Sequence, residues 1–432
     1  MSPRASALSE RLRGSLFLVP MIFVLAAVVL AGVTVAVDRE LLEGPGELPF
    51  VLTSTVDSAR AVLGTIASAT ITVAGIAFSI SLLVIQLASS QYSPRIVHGL
   101  LRDPFSKRVM GLVTGTFTYC LVVLRTVRGP LEEDGTPVIP NLSVAIAVLL
   151  GIASILGIIA FIDHSAHWMD VSRILARATD DAIDAVRDLW DEPAPELPTG
   201  PVPEAPVAHL AVTHDRSGWI QHVDLDDLAG AADEGGNVRL DTEVGRYAVP
   251  GTVLCAIWPV PADPEEACAR ARRAVVTGAS RTSQHDVGYG VRQLADVALR
   301  ALSPGINDPT TAQDAMFHAA TVLGELLTRR PPPLASPMAG SRVLLRPERL
   351  DHVAVIELAF GEVRRAATGM PTVATYLLEI LALLDQRAGG DADVHAALAE
   401  QAGLIRAAAR TADLLPEDVK RIESAHDARF GA

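Results

Sequence analysis

Four long apolar segments dominate the hydrophobic pattern of this chain. They cover Ser15–Val37, Ala61–Leu87, Val109–Val127 and Leu142–Ile162. Each reaches the roughly 20 helical residues that cross a bilayer. The first segment is too long for a signal peptide and lacks a small-residue cleavage site, so it predicts an anchor. We therefore expect a four-span transmembrane domain over residues 1–169 and number the segments span one to span four.

Beyond the spans, the pattern divides the chain into four further regions. Apolar residues at spacings of three and four predict a stalk helix over residues 170–192. Six prolines then indicate an extended linker over residues 193–206. Short alternating runs predict a small β-rich module over residues 207–260, and helical periodicity returns over residues 261–432. Within that last region, the proline-rich stretch 329–340 predicts a loop.

The β-rich module carries the pattern "SGWIQHVD … GRYAVPGTVLCAI". This pattern resembles the hairpins of biotinyl- and lipoyl-type barrel-sandwich domains. The hairpin tip has no lysine, so carriage of biotin or lipoate is excluded, and a structural adaptor remains. The predicted fold class is therefore mainly α. A four-helix transmembrane domain precedes a cytoplasmic α+β region, in which a small barrel-sandwich-like module is followed by a helical bundle.

The charges flanking the spans predict their orientation. Basic residues lie before span one, between spans two and three, and after span four: Arg4, Arg11, Arg13, Arg95, Arg102, Lys107, Arg108, Arg173 and Arg177. The other two loops are acidic. By the positive-inside rule, both termini are cytoplasmic, and the chain is a multi-pass protein of the cell (inner) membrane.

Composition excludes several partners and chemistries. The net charge is −14, and residues 179–432 account for −15 of it, which argues against nucleic acid as a partner. The three cysteines have no metal-type spacing, so we predict no metal site. Lys107 and Lys420 are the only lysines, and neither lies in a phosphate-binding loop. We expect no cofactor.

Small and polar residues form a stripe along span two and a shorter one along span three. At 100° per residue, the span-two members fall within about 80° of arc. The two stripes consist of Gly64, Ser68, Thr72, Gly75, Ser79, Gln86, Gly111, Gly115 and Thr118. Close helix packing explains such residues, because small side chains let backbones approach. A water-filled path through an oligomer is the sharper alternative.

Two constellations are candidates for metal binding and for catalysis. Asp163, His167 and Asp170 share a helical face at the end of span four, where an interfacial helix end is the favoured interpretation over a metal site or pH sensor. The best enzyme constellation is the set His285, Asp286, Asn307 and Asp308. The sequence contains no GxSxG, HExxH or phosphate-loop motif, so we predict no catalytic residues and no enzyme.

The segment "RALSPGINDPTTA" at residues 300–312 predicts a helix stop followed at once by a helix start. Gly305 is expected to take the left-handed conformation of a helix end, and Asp308 to cap the next helix ahead of a proline. The helix stop and the helix start require neither Arg300 nor Asn307. Arg300, Asn307 and Asp308 are therefore a possible ligand or partner corner.

The segments "RAVLGTIASATITVAGIAFSISLLVIQLASSQYSPRIV" and "RTSQHDVGYGVRQLADVALRALSPGINDPTTA" carry a family resemblance. They resemble the uncharacterised bacterial predicted membrane protein family called domain of unknown function 2254. The resemblance extends over most of the chain. It implies a membrane protein with a cytoplasmic region, and it brings no activity or catalytic residues.

Two functions follow from these patterns. The first is an oligomeric channel or transporter with a cytoplasmic regulatory domain, in which the span-two stripe lines a path. The alternative is a membrane-anchored sensor or scaffold with no pore. The expected partners are the lipid bilayer, further copies of the chain, and a cytoplasmic ligand or protein of unknown identity.

Overall fold

The structure is a computed structural model that describes residues 17–43, 55–91, 103–127, 140–168, 170–192, 205–283 and 285–431. The chain divides into two compact units. The first unit contains the helices up to Asp170, and the second contains the chain from Val171 onward. The predicted proline-rich linker lies mostly outside the described residues.

The first unit consists of the helices α1 (Leu18–Glu43), α2 (Val56–Gln91), α3 (Pro104–Leu124) and α4 (Asn141–Trp168). All four are long and apolar enough to cross a membrane, which confirms the four predicted spans. Span two is longer than predicted at both ends. Hydropathy reports the apolar length of a helix, and its polar end residues continue the helix without raising that signal.

The core of the first unit lies where α1, α2, α3 and α4 present small and aromatic residues to one another. α1 packs most extensively against α3. The central cluster includes Ala31, Leu63, Tyr119, Cys120 and Ala147, all fully buried. Much of the outer surface is apolar, as expected for helices that meet lipid.

The strands of the second unit form two sheets. The strands are β1 (Leu210–Thr213), β2 (Gly218–Val223), β3 (Asn237–Leu240), β4 (Tyr247–Ala248), β5 (Val253–Trp258), β6 (Val275–Gly278), β7 (Ala335–Met338) and β8 (Arg342–Leu345). One sheet has the order β1-β5-β3-β8-β7 and the other β4-β2-β6. β3 and β8 run parallel, and the other pairs are antiparallel. The short helices α6 (Leu225–Ala229) and α7 (Pro264–Ala274) pack beside the sheets.

The prediction of a loop over residues 329–340 is wrong for the second half of that stretch. β7 begins within it at Ala335, and β8 follows after the 3₁₀ turn Ala339–Ser341. Leu344 and Leu345 of β8 are fully buried, and β8 pairs with β3, which lies about 100 residues earlier. The prolines at positions 331–333 precede the strand, so they do not interrupt the sheet.

Helices make up most of the second unit, and this confirms the mainly α fold class. They are α5 (Val171–Leu189), α8 (Val287–Ala301), α9 (Pro309–Leu326), α10 (His352–Ala366), α11 (Pro371–Asp385), α12 (Ala392–Thr411) and α13 (Pro416–Phe430). Aspartates cap several of them: Asp286 begins α8, Asp308 begins α9 and Asp391 begins α12.

The helix predicted as a stalk, α5, lies against α8 and α9. Its apolar face is buried, including Leu175, Ala182 and Val186. A Cβ at Gly290 of α8 would lie 2.5 Å from the Cβ of Ala182, so the glycine allows the two helices to approach. The hydroxyl of Thr179 lies 2.8 Å from Nδ1 of His318 in α9. α5 is therefore an integral part of the second unit's helical core.

Candidate functional site

The span-two stripe faces away from the core of the first unit. Ser68, Thr72, Gly75, Ser79 and Gln86 are exposed, and Gly64 is half-buried. The buried face of α2 is formed by Ala59, Leu63, Ala67 and Ala77. On a helical wheel, that face is centred about 150° from the stripe. A Cβ added at Gly64 or Gly75 would meet no atom within 4 Å. No described residue of the chain covers the stripe.

Hydroxyl groups of the stripe are partly satisfied within α2 itself. Thr72 donates to the carbonyl of Ser68 at 2.8 Å, and Ser79 donates to the carbonyl of Gly75 at 2.9 Å. Such back-bonding lets serine and threonine enter a membrane helix without an unsatisfied proton. The oxygen lone pairs stay available to water or to a neighbouring helix. The stripe is thus compatible both with close helix packing and with a water-filled path.

The shorter stripe of span three has a different environment. A Cβ at Gly111 would lie 2.7 Å from Cδ2 of Phe23, and one at Gly115 would lie 3.2 Å from the Phe23 carbonyl oxygen. Thr118 is half-buried and donates to the carbonyl of Thr114 at 2.9 Å. Gly111 and Gly115 therefore allow span one to pack on span three within the same chain. The span-three stripe is therefore covered by span one, whereas the span-two stripe is open.

Asp38 is a buried carboxylate of the first unit that the sequence patterns did not predict. Asp38 is 4% exposed. Its oxygens accept from the amides of Leu142 and Ser143 at 2.9 Å each, and from the Ser143 hydroxyl at 2.6 Å. The hydroxyl of Tyr119 donates to the Ser143 carbonyl at 3.1 Å and lies 3.0 Å from that of Thr34. Asp38 thus caps the start of span four from the end of span one.

The predicted corner between α8 and α9 is an exposed turn. Asp308 caps α9 as expected: it accepts from the amide of Thr311 at 3.1 Å and from its hydroxyl at 2.6 Å. These hydrogen bonds hold the pKa of Asp308 below its ordinary value. The left-handed residue is Asn307, with φ of 50°, so the prediction for Gly305 was wrong. The amides of Ile306 and Asn307 both bond to the Ser303 carbonyl, so the turn continues past the glycine before it reverses.

The left-handed backbone conformation of Asn307 explains why an asparagine lies at this position. It also allows a ligand role of the side chain to be tested separately from the backbone conformation. Asparagine tolerates the left-handed region better than alanine, and glycine adopts it freely. We expect Asn307→Ala to lower the free energy of unfolding by about 1 kcal/mol, and Asn307→Gly to leave it nearly unchanged. Thermal melting of the full chain in detergent measures both. A ligand role for the side chain requires that Asn307→Gly also loses function, and full function in that variant contradicts it.

The structure does not assemble the candidate enzyme constellation. Asp286 caps the first turn of α8, whereas Asn307 and Asp308 follow its last turn. A helix of 15 residues separates these ends by about 22 Å. His285 lies instead beside His222 of β2, with ring centroids 4.7 Å apart. The two halves of the constellation cannot act on one substrate atom.

Asp286 belongs to a different cluster, an ion pair with Arg281. The carboxylate is nearly buried and accepts from Nε and Nη2 of Arg281 at 2.9 Å each, and from the amide of Tyr289 at 2.9 Å. The guanidinium lies 5.1 Å from the ring of Tyr289 and 5.8 Å from that of Trp219. Burial raises the pKa of Asp286 although Arg281 and the Tyr289 amide act to lower it. This cluster fixes the segment before α8 onto β2.

The end of span four carries the predicted metal-site candidates Asp163, His167 and Asp170. Asp163 and Asp170 are exposed, and the side chain of His167 lies outside the described residues. His164 is the histidine that makes a contact here: its Nε2 lies 3.1 Å from Oδ2 of Asp103, the cap of span three. Over the described ranges, no group of three or more histidine, cysteine or acidic side chains is placed to hold a metal ion.

Four apolar spans and a separate mixed-sheet and helical unit define this chain as a membrane protein with four candidate spans. The chain belongs to the family described as "Predicted membrane protein (DUF2254)", which matches residues 13–383. It is 31% identical over 428 residues to an uncharacterized protein of Mycobacterium tuberculosis (strain ATCC 25618 / H37Rv) and to one of Mycobacterium bovis. These alignments cover 95% of this chain and 79% of each relative. No solved structure matches the chain.

Proposed function

We propose that this chain forms a homo-oligomer in the cell membrane and that the span-two stripe lines a water-filled path for small solutes. The observation that carries the proposal is the position of the stripe. It lies on the face of α2 opposite the core and is covered by no described residue. In this arrangement, each copy of the first unit contributes one segment of the pore wall, and further copies contribute the rest.

The residues beside the stripe support this arrangement. Large exposed apolar side chains flank it on both sides: Ile71 and Phe78 on one, Ile76 and Leu83 on the other. A polar strip between two apolar ridges suits a helix that faces water along its centre and meets neighbouring copies along its flanks. A single chain in lipid would instead leave the remaining lone pairs of the stripe's hydroxyl oxygens without donors, because hydrocarbon offers no hydrogen bonds.

The second unit is the proposed regulatory domain. The basic flanks of the spans support a cytoplasmic position for this unit. Its net negative charge disfavours nucleic acid and favours a small ligand or a protein as the regulator.

Solute flux through reconstituted vesicles tests the proposed path. Liposomes containing the full chain are expected to release entrapped K⁺ or glycerol faster than empty liposomes. Ser68→Leu and Ser79→Leu are expected to abolish that difference, because two leucines narrow the strip and remove its hydroxyls. Ala160→Leu places the same side chain at an exposed position of span four and is expected to retain the flux. Tight liposomes with the wild-type chain contradict the proposal.

The alternative function, a membrane-anchored sensor or scaffold without a pore, has one observation in its favour. The second unit has its own sheets and helical core, and it includes α5. A shortened chain that tests this alternative therefore begins at Val171, because a start after the proline-rich linker would remove the helix that packs on α8 and α9. Ligand-dependent melting shifts of that fragment, together with tight liposomes, favour the sensor over the channel.

A further inference from the structure

The connector, residues 279–286, joins β6 to α8 and lies along β2. Near its start, Nε2 of Gln221 in β2 donates to the carbonyl of Ser280 at 2.7 Å. The guanidinium of Arg281 then lies over the ring of Trp219, which is also in β2. The connector is thus the covalent link between the three-stranded sheet and the first turn of α8.

Two histidines make the contact at the other end of the connector. The ring of His285 lies 4.7 Å from that of His222 in β2, centroid to centroid, and the rings are tilted by 49°. His222 is half-buried, and His285 is exposed. The register of β2 shifts between Ile220 and His222, and Ile220 and Val223 on either side of the histidine are buried in the core. This bulge therefore places His222 beside the connector.

Asp224 is the acidic group that faces His222. Its carboxylate caps α6 by accepting from the amide of Asp227 at 3.0 Å. β6, which pairs with β2, has no titratable side chain. Other titratable groups beside β2 have partners of their own: Arg281 with Asp286 and Tyr289, Glu243 with Arg346, Arg246 with Glu348, and Tyr247 with Trp219. His285 is thus the group whose charge changes together with that of His222.

Burial lowers the pKa of His222, the charge of His285 lowers it further, and Asp224 acts in the opposite direction. An imidazole with a lowered pKa binds a proton less readily in the packed state than in a solvated state. The packed contact is therefore favoured above the ordinary imidazole pKa of about 6.5, and it loses stability as the pH falls below that value. Asp286 does not contribute to this loss, because burial raises its pKa and the folded chain binds its proton more readily than the unfolded chain.

We propose that His222 and His285 form an acid-sensitive contact between β2 and the connector, which opens when both imidazoles are protonated. Two positive rings at this separation repel each other, and the exposed ring of His285 moves into water. The other attachments of the connector do not need a neutral imidazole, so the opening stays local to the end that leads into α8. Acid thus loosens the junction between the three-stranded sheet and α8. This switch belongs to the second unit alone and does not depend on the proposed path.

Hydrogen–deuterium exchange of the full chain in detergent tests the contact. Exchange is measured at about pH 7.5 and about pH 5.5, on either side of the ordinary imidazole pKa, and is corrected for the pH dependence of intrinsic exchange. The peptide over residues 279–290 is expected to lose protection several-fold at the lower pH. The peptide over residues 237–258, which contains no histidine, is expected to keep its protection.

Two substitutions remove the titrating groups one at a time. His222→Phe keeps an aromatic ring in β2, and His285→Gln keeps a polar side chain at an exposed position. Each is expected to remove most of the acid-induced loss of protection. The double variant is expected to remove no more than either single variant, because both changes act on the same contact. His209→Gln is the matched control: it removes an exposed histidine that contacts the Pro206 carbonyl instead, and it is expected to retain the wild-type response.

Several results overturn the proposal. Equal protection of the wild-type 279–290 peptide at the two pH values shows that the contact does not respond to acid. An acid response that both single variants retain arises from another group. Equal loss of protection over residues 237–258 identifies general acid unfolding of the second unit. If His222→Phe does not fold, His285→Gln decides: loss of the acid response supports the contact, and a wild-type response contradicts it.

Discussion

Asp286→Ala is expected to lower the free energy of unfolding of the second unit by about 3–5 kcal/mol, the typical result of removing one partner of a buried ion pair. Asp286 is 6% exposed and receives two hydrogen bonds from Arg281 and one from the amide of Tyr289. The change leaves a half-buried guanidinium without its carboxylate and the first turn of α8 without its cap. It also frees the segment that the pair fixes onto β2.

Chemical unfolding of the full chain in detergent, followed by tryptophan fluorescence, measures this loss. Trp219 lies within 5.8 Å of the Arg281 guanidinium, so the signal includes the affected region. Glu348→Ala is the control, because the pair of Glu348 with Arg246 is exposed and contributes about 0–1 kcal/mol. A loss in Asp286→Ala no larger than in this control contradicts the prediction.

A double substitution separates the charge from the cap. Arg281→Leu in the Asp286→Ala background removes the uncompensated cation, so we expect part of the lost stability to return. The remaining loss then reports the missing cap, typically about 1 kcal/mol. If the second substitution lowers stability further, the buried cation is not the source of the main effect.

Asp38→Ala is expected to lower the stability of the first unit by about 2–4 kcal/mol, the sum of a lost helix cap and buried donors left without an acceptor. The amides of Leu142 and Ser143 lose their acceptor in an environment with little water to replace it. Asp38→Asn is expected to be intermediate, because an amide oxygen accepts from one donor while its NH₂ group faces the other.

Loss of helical circular dichroism on titration with a denaturing detergent measures this effect. Glu40→Ala is the matched control: it removes an acidic residue from the same helix at an exposed position and is expected to change stability little. Asp38→Ala with the stability of that control would show that span four begins equally well without the carboxylate of span one.

Local patterns predicted much of this fold, because each needs only neighbouring residues. The four spans follow from the length of apolar runs, and the cap Asp308 follows from an acidic residue just before a helical pattern. The features that were missed depend on distant partners. Asp38 caps a helix that begins more than 100 residues later, and β8 pairs with a strand about 100 residues earlier.

The candidate site likewise has some features that local patterns predict and others that depend on distant partners. Helix geometry alone places Ser68 and Thr72 on one face of span two, and the structure adds that this face is opposite the core. Helix geometry could not predict that Gly111 and Gly115 contact Phe23. The same small-residue spacing suits contacts within a chain and contacts between chains. At the corner, the choice between Gly305 and Asn307 for the left-handed conformation depends on which amides bond to Ser303.

The parallel pairing of β3 with β8 sets an order of events during synthesis. Leu240 and Arg342 lie 102 residues apart, so at 5–20 residues per second a ribosome takes about 5–20 s to make the intervening chain. Once β5 has been made, β3 has β5 on one side and an open edge on the other until β8 emerges. Open strand edges invite pairing with other nascent chains. Chaperone dependence of this protein is therefore expected to concentrate on the interval before β8 emerges, well after the four spans have been made.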